Sequence, residues 1–163
     1  MAGQTQSSVH MTPIARTYAF EELELGQTAS REHVITAADI EAFADVCHDH
    51  NPVHMDAAYA AATIFKERVA HGMLSAGIMS GLFGEDLPGP GAIYVAQSLR
   101  FKAPVKIGDR LTARCEVISK MPGKNLVVFK TECRVGEKVV VEGEATLLVA
   151  SKAKVSADSA ANQ

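Results

Sequence analysis

The stretch VAHGMLSAGIMSGLFG, residues 69–84, decides the fold, because it holds no Asp, Glu, Lys or Arg and carries glycines at helical spacing. Gly77, Gly81 and Gly84 follow one another at i, i+4 and i+7. A helix that is apolar all round is a buried one, and a glycine stripe lets another backbone approach closely. The stretch is shorter than the about 20 apolar residues that a bilayer span needs. We therefore predict a long, buried central helix.

The chain after this helix changes to the two-residue alternation of a β-sheet. A loop at 85–91 ends the helix, and four alternating apolar segments follow at 93–101, 111–117, 127–135 and 139–149. The short breaks between them carry turn-forming residues, which favours an antiparallel meander. The predicted class is α+β, with an antiparallel sheet wrapped around the central helix. Because open sheet edges must be covered or paired, we expect a dimer that joins two sheets edge to edge.

Shorter elements precede the central helix. Two extended pieces, at 17–20 and 29–35, flank a turn that contains Glu and Gly. Thr36 and Asp39 have capping-box spacing, and an apolar helical stripe follows at Ile40, Phe43, Ala44 and Cys47. This helix must end near Asp49, because Pro52 cannot continue an interior turn. A second short helix is predicted at 56–62.

The ends and the composition set the class of protein. We predict one domain at 17–150, a disordered lead at 1–16 and a disordered tail at 151–163, because both ends are rich in small and polar residues. The net charge of −3 argues against a general binder of nucleic acid or of anionic membranes. The cysteines are odd in number and lack a disulfide-framework spacing, so we expect a reduced, cytoplasmic setting.

A polar loop, HDHNPVHMD at 48–56, carries the candidate chemistry. Asp49 and His54 lie on either side of the stiffening Pro52. A carboxylate and an imidazole so spaced can turn toward one water molecule, one accepting a proton and the other donating one. Asn51 is expected to shape the turn through side-chain bonds to nearby backbone. The alternative interpretation is a solvated polar turn without chemistry.

Two other interpretations of this loop are disfavoured. A metal site would draw on Cys47, His48, His50, His54 and Asp56, but adjacent and alternate residues do not easily converge, and no standard zinc spacing is present. We therefore predict no metal. A Cys47 nucleophile with His54 as its base is also disfavoured, because Cys47 falls on the apolar stripe of its helix, where a cysteine is usually structural.

The start of the buried helix is a second candidate site. Free backbone N–H groups near Gly72 point outward at the positive end of the helix dipole, where they can stabilise an oxyanion. The alternative is a glycine chosen only for backbone freedom. Ser80, a hydroxyl deep in the helix, either contacts the active-site residues or bonds back to the Ala76 carbonyl.

Taken together, these stretches resemble the MaoC-like hydratase family, the (R)-specific enoyl-CoA hydratases with a hot-dog fold. The resemblance runs over 17–150 and is carried mainly by the D-x-N-P-x-H pattern from Asp49 to His54 and by the H-G-M pattern from His71 to Met73. Further matching segments lie at 94–101 and at 104–109. The combination of the two patterns is specific, whereas either half alone is not.

The resemblance implies a cofactor-free addition of water to a trans-2-enoyl-CoA, which gives the (R)-3-hydroxyacyl-CoA. Asp49 and His54 would activate the water that adds to C3 and deliver a proton to C2. Gly72 would bind the thioester oxygen through its N–H, with Asn51 and Ser80 orienting the dyad. Separately from the resemblance, Phe83 lies three residues beyond Ser80 on the same helical face, and we expect its bulk to shorten the acyl pocket and favour short chains.

Some questions stay open at this point. His48 and His50 depart from the family's pattern, and we interpret them as solvated bystanders. The carrier is undecided, because Arg100, Lys102 and Lys106 can meet the phosphates of CoA or the acidic face of acyl carrier protein. The alternatives to the hydratase are a 3-hydroxyacyl-[acyl carrier protein] dehydratase with the same site, a hot-dog thioesterase, and a non-catalytic acyl-CoA-binding subunit.

Overall fold

The computed structural model describes residues 16–161, with side chains described as far as residue 157. The predicted disordered lead therefore lies, except for Arg16, outside the described residues. In chain order the elements are a 3-10 turn at Phe20–Glu22, strand β1 at Thr28–Val34, helices α1 at Ala37–Cys47, α2 at Pro52–Met55, α3 at Ala57–Ala62 and α4 at Gly72–Glu85, strands β2 at Ile93–Phe101, β3 at Arg110–Met121, β4 at Leu126–Val135 and β5 at Lys138–Leu148, and helix α5 at Lys152–Ala161.

The strands form one antiparallel sheet in the order β1-β3-β4-β5-β2. The meander of β3, β4 and β5 is confirmed, and Gly136, with a φ of 56°, makes the tight turn between β4 and β5. The prediction is wrong for β2, which pairs with β5 instead of β3. The segment at 102–109 crosses the sheet instead of turning back, because its backbone bonds elsewhere: Lys102 N–H donates to the Val140 carbonyl, and Ala70 N–H to the Val105 carbonyl.

The predicted cap of α1 is confirmed in detail. The Thr36 hydroxyl accepts from the Asp39 N–H, and the Asp39 carboxylate accepts from the Thr36 N–H, which is the reciprocal bonding of a capping box. The short helix predicted at 56–62 is confirmed as α3, and Asp56 is its N-cap. The single turn α2 was not predicted; it forms because Asn51 caps it and Pro52 stands at its first position, where a missing N–H costs nothing.

Helix α4 is buried on one face and exposed on the other. Met79, Leu82 and Phe83 join the core against the inner face of the sheet. Gly77 and Gly84 are exposed, and a Cβ atom built on either of them meets nothing within 4 Å. The prediction of a helix buried all round is therefore wrong for the single chain, because one sheet covers only one side of the helix.

Two predictions for the ends of the domain also need correction. Residues 17–20 form no strand; Tyr18 N–H donates to the Pro88 carbonyl and Phe20 N–H to the Ala150 carbonyl. The tail predicted as disordered contains α5, which is rich in the helix formers Ala and Lys and whose first N–H, at Lys152, donates to the Glu21 carboxylate. Between residues 16 and 161, none of the helices combines the length and hydropathy of a membrane span.

Candidate active site

The polar loop places Asp49 at the point where α1 gives way to α2. His48 adopts a left-handed conformation (φ 59°) that ends α1 and turns the chain. The Asp49 carboxylate then accepts from the Asn51 N–H at 3.2 Å, and the Asn51 side chain accepts from the Val53 N–H at 3.2 Å. The expectation that Asn51 shapes this turn is confirmed.

His54 is held in one orientation by the segment that leads into α4. Its Nδ1 lies 2.7 Å from the Val69 carbonyl oxygen, and its backbone carbonyl accepts from Arg68 Nε at 2.5 Å. A carbonyl only accepts, so Nδ1 carries the hydrogen. The neutral imidazole therefore has its lone pair on Nε2, free for a proton or a water molecule.

His71 is a site residue that the sequence reasoning missed. It is only 3% exposed, its Nε2 donates to the Asp49 backbone carbonyl at 2.9 Å, and its ring stacks on the ring of His54 with centroids 3.9 Å apart. Its Nδ1 is buried and has no hydrogen-bond partner within the described part of the chain. The signal in the sequence that points to His71 is the H-G-M pattern, in which the sequence interpretation gives a role only to the glycine.

The same three residues raise the question of a metal again. Asp49, His54 and His71 each bring one potential ligand atom within 4.8 Å of the others. The two imidazole planes stack at 32°, and His71 Nε2 is already bonded to the Asp49 carbonyl, so only its Nδ1 is left for a metal ion. The three residues also lack a standard zinc-site spacing along the sequence. The exposed His50 pairs with Asp45 at 3.2 Å, away from the three residues.

The dyad cavity, as we call the space beside these residues, has a volume of about 350 Å³. It is lined by Phe43, Cys47, Asp49, His54, His71, Gly72 and Met73. Gly72 is the first residue of α4, and the His71 side chain does not cap the helix, so the first N–H groups are available to a ligand. The three residues predicted to do the chemistry, Asp49, His54 and Gly72, thus meet in one cavity.

Gly72 has a packing requirement as well. A Cβ atom at this position would lie 2.7 Å from the ring of Phe101 on β2, closer than real carbon atoms approach. The ring of Phe101 therefore sits against the start of α4, and any larger residue at position 72 requires the ring or the helix start to move.

The position of Cys47 contradicts the sequence analysis. It is the last residue of α1, it is exposed, and it lines the dyad cavity. Ile40 and Ala44, on the same stripe, are buried as predicted. The last turn of α1 extends beyond the edge of the hydrophobic core, so Cys47 is exposed although it lies on the same stripe as Ile40 and Ala44.

A second space, the β2 cavity, has a volume of about 430 Å³ between α4 and strand β2. It is lined by Phe43, Met73, Ala76, Gly77, Ser80, Tyr94, Gln97 and Leu99. Ser80 is exposed here, about 12 Å along the helix from Gly72 at 1.5 Å per residue. Within this chain it does not reach the dyad, so an orienting role there finds no support.

Phe83 does not line any of the three cavities described here. It is 1% exposed and packs edge-on against the rings of Tyr94 and Phe129, with centroids 5.4 Å and 5.0 Å away. Its contact with the β2 cavity is through Tyr94.

A third space, the loop cavity, has a volume of about 480 Å³ and opens on the other side of the dyad. Besides His54, His71, Gly72 and Met73 it is lined by residues of the crossing segment, including Lys102 and Val105, and by Phe65. Lys102 pairs with Glu142 at 3.1 Å. Of the three cations considered for the carrier, Lys102 alone lines a described cavity.

Comparison with known proteins identifies the family. Residues 20–140 match the model of the MaoC like domain. An (R)-specific enoyl-CoA hydratase of Rhodospirillum rubrum is 53% identical over 133 residues, which cover 82% of this chain and 92% of that protein. A 3-hydroxybutyryl-CoA dehydratase of Methylorubrum extorquens is 41% identical over 142 residues, 87% of this chain and 90% of that one.

The solved structures agree. An unliganded R-hydratase of Pseudomonas aeruginosa superimposes with a TM-score of 0.81 at 47% identity, covering 85% of this chain and 89% of that one. The (R)-hydratase of Aeromonas caviae gives a TM-score of 0.77 at 42% identity, covering 79% and 98%. The predicted hot-dog fold is confirmed, and the chain belongs to the MaoC-like domain family.

Proposed function

We propose that this protein is an (R)-specific enoyl-CoA hydratase, which adds water to a trans-2-enoyl-CoA and forms the (R)-3-hydroxyacyl-CoA. The observation that carries the proposal is the meeting of Asp49, His54 and the first residue of α4, Gly72, in one cavity. Hydration of an enoyl thioester needs a base and acid near C3 and C2, and a donor where negative charge develops on the thioester oxygen. The three residues supply these groups.

The reaction returns the dyad to its starting state. Asp49 and His54 hold a water molecule, His54 through the Nε2 that its bond to Val69 leaves free. The water gives one proton to the dyad as its oxygen bonds to C3, and the π electrons move onto the thioester oxygen as an enolate. The dyad then delivers a proton to C2, the C1–C2 double bond of the enolate collapses, and no cofactor enters the balance.

Gly72 stabilises the enolate through its backbone N–H at the start of α4. Its N–H stands at the positive end of a 14-residue helix, where negative charge is favoured. Removal of one such donor costs about 10²–10³ in turnover in enzymes that use an oxyanion hole. A hydrogen bond aimed at the developing charge, and not at the ground-state carbonyl, is what makes this contribution catalytic.

The carrier we propose is CoA, with acyl carrier protein as the alternative. Lys102 lies at the loop cavity, where a cation suits the phosphates of CoA. Comparing turnover of crotonyl groups on the two carriers decides between them.

We also propose that two copies form a homodimer. Strand β2 is an edge strand with exposed apolar side chains, among them Ile93 and Val95, whereas the opposite edge strand, β1, carries the charged Arg31 and Glu32. The exposed glycine face of α4 lies next to β2 across the β2 cavity. Pairing of the β2 edges would cover both surfaces, and the molar mass in solution tests this. The free thiols of Cys47, Cys115 and Cys133 support a cytoplasmic setting.

The test of the activity follows the absorbance of the conjugated enoyl group of crotonyl-CoA together with thiol release. We expect wild type to remove the enoyl band without releasing thiol, and Asp49→Asn to be largely inactive. Asp45→Asn is the matched control, because Asp45 is exposed, pairs with His50 and is not among the residues that line the dyad cavity. Thiol release would instead identify a thioesterase, and an intact band with every carrier and chain length would identify a binding subunit.

A further inference from the structure

The three cavities meet at one side chain. His54, His71 and Gly72 line the dyad cavity and the loop cavity, and Phe43 lines the dyad cavity and the β2 cavity. Of the residues that the structure describes, Met73 alone lines all three. A molecule that extends from the loop cavity past the dyad into the β2 cavity must therefore pass Met73.

The Met73 side chain is free to respond to such a molecule. It follows directly on Gly72 in the sequence, is 53% exposed and does not belong to the core cluster. Methionine is unbranched, has three rotatable side-chain bonds and adapts its shape to irregular gaps. A large apolar side chain that stands exposed beside catalytic groups has a surface available for an apolar ligand.

The chemistry of the two outer cavities gives the path a direction. The loop cavity carries Lys102, which suits the phosphate-bearing carrier. The β2 cavity is lined mainly by apolar groups, including Ala76 and Leu99, which suit a hydrocarbon chain. With the thioester oxygen at Gly72 and C3 at the dyad, the acyl carbons beyond C3 run past Met73 toward the β2 cavity.

We propose that Met73 is a specificity-determining residue, the side chain that an acyl chain must pass to enter the β2 cavity. The inference rests on the proposed hydratase function and adds the residue that selects among its substrates. A larger side chain at position 73 narrows the passage to the β2 cavity, so it should impair long acyl chains more strongly than the four-carbon substrate, which ends near the dyad.

The experiment compares kcat/KM for trans-2-octenoyl-CoA and crotonyl-CoA in three variants. Met73→Phe is expected to lower the ratio of the two values about tenfold or more, the effect of a mismatch of one or two methylene groups in an apolar pocket. Met73→Leu, of similar volume, should leave the ratio close to wild type. Met121→Phe is the matched control, because Met121 is also a partly exposed methionine and lines none of the three cavities.

Binding of saturated acyl-CoAs separates this inference from the hydratase proposal. Calorimetry with butyryl-CoA and octanoyl-CoA needs no catalysis, and Met73→Phe should weaken octanoyl-CoA selectively. If wild type binds butyryl-CoA and octanoyl-CoA but hydrates neither crotonyl-CoA nor trans-2-octenoyl-CoA, the hydratase proposal is overturned. The ratio of the two dissociation constants in Met73→Phe and wild type then still decides the role of Met73. Equal effects on both chain lengths in Met73→Phe, or the same change in Met121→Phe, overturn the inference, as does a wild type that binds neither.

Discussion

The imidazole rings of His54 and His71 stack with their centroids 3.9 Å apart and their planes at 32°. The same buried His71 donates through Nε2 to the backbone carbonyl of Asp49. One side chain thus touches both members of the dyad, one through its face and the other through its edge. The Nε2–H of His71 is thus committed to Asp49, and Nδ1 is the ring nitrogen left without a hydrogen-bond partner among the described residues.

Substitutions of His71 should separate its two contacts. His71→Phe keeps a ring against His54 but removes the donor to Asp49, and we expect turnover to fall about a hundredfold, the effect of a displacement of about 1 Å at a reacting group. His71→Gln keeps an N–H at nearly the same place and should retain much more activity. The measurement is kcat and KM for crotonyl-CoA, with thermal unfolding of both variants as the control. Equal losses in the two variants would contradict the positioning role.

Replacing Gly72 by alanine should impair the enzyme through Phe101. The alanine keeps its N–H, but its Cβ would lie 2.7 Å from the Phe101 ring, so the ring or the helix start must move. We expect kcat/KM to fall about tenfold, which corresponds to about 1.4 kcal/mol. The double variant Gly72→Ala/Phe101→Leu should regain most of the loss. No recovery in the double variant would mean that the glycine acts in some other way than by admitting the ring.

The three thiols should differ sharply in reactivity. Burial raises the pKa of Cys115 and that of Cys133 to about 12, so neither forms a thiolate in the native protein. Cys47 is exposed at the dyad cavity. We expect one thiol to react with Ellman's reagent in the native protein and three after unfolding in guanidinium. In Cys47→Ser no thiol should react in the native protein, and saturating butyryl-CoA should slow the reaction of Cys47 in wild type. Fast labelling of a second thiol would contradict the burial of Cys115 and Cys133.

The cap of α1 should make stability depend on pH in the acid range. Burial acts to raise the pKa of Asp39, but its hydrogen bonds with His33 and Thr36 outweigh burial and the net shift is downward. A carboxyl whose pKa is lower in the folded state stabilises the fold above its ordinary value of 3.8, and the stabilisation is lost as the pH falls through the folded-state pKa.

The corresponding variant is Asp39→Asn. At neutral pH we expect it to lower the free energy of unfolding by about 1 kcal/mol, because a neutral amide replaces the charged carboxylate in the hydrogen bonds with Thr36 and His33. The difference from wild type should begin to shrink as the pH falls below 3.8, where the unfolded chain takes up the proton, and should be lost below the lower folded-state pKa of Asp39. Urea unfolding at several pH values measures both. Asp45→Asn, on the same helix, removes an exposed carboxylate outside the capping box and serves as the control.

The prediction that Phe83 limits the acyl chain can be tested against its role in the core. Phe83→Leu removes three carbon atoms from a buried ring and should cost about 2 kcal/mol of stability. If the ring restricts the β2 cavity by supporting Tyr94, this variant should also raise kcat/KM for octenoyl-CoA relative to crotonyl-CoA. Phe129→Leu, on the other side of the Phe83 ring, should lose comparable stability without changing the preference. An unchanged preference in Phe83→Leu would leave Phe83 as a core residue only.

Local patterns predicted the parts of the molecule that short-range contacts determine. The cap formed by Thr36 and Asp39, and the Asn51 turn, depend on neighbours within a few residues, so the sequence identified both. The pairing of β2 with β5 joins residues from 40 (Phe101 and Val141) to 55 (Ile93 and Leu148) positions apart, and alternation alone does not select a partner strand. Cys47 was wrongly predicted to be buried, and His71 was not predicted as a site residue. Both failures have a related cause, because the exposure of Cys47 at the end of α1 and the burial of His71 at the start of α4 depend on where the hydrophobic core ends.

The two halves of the dyad are tied to the segment 68–71 by direct bonds. Arg68 bonds the His54 carbonyl, the Val69 carbonyl bonds the His54 ring, and His71 bonds Asp49. The intervening residues 57–67 contain helix α3, whose Ala60 is buried, and Phe65, which lines the loop cavity. Residues 61–64, between these two contacts, are mostly exposed. The entropy of closing a chain segment grows only slowly with its length, each doubling adding about 0.6 kcal/mol. Insertions at 61–64 can therefore change the surface beside the loop cavity while the bonds that hold Asp49 and His54 stay in place.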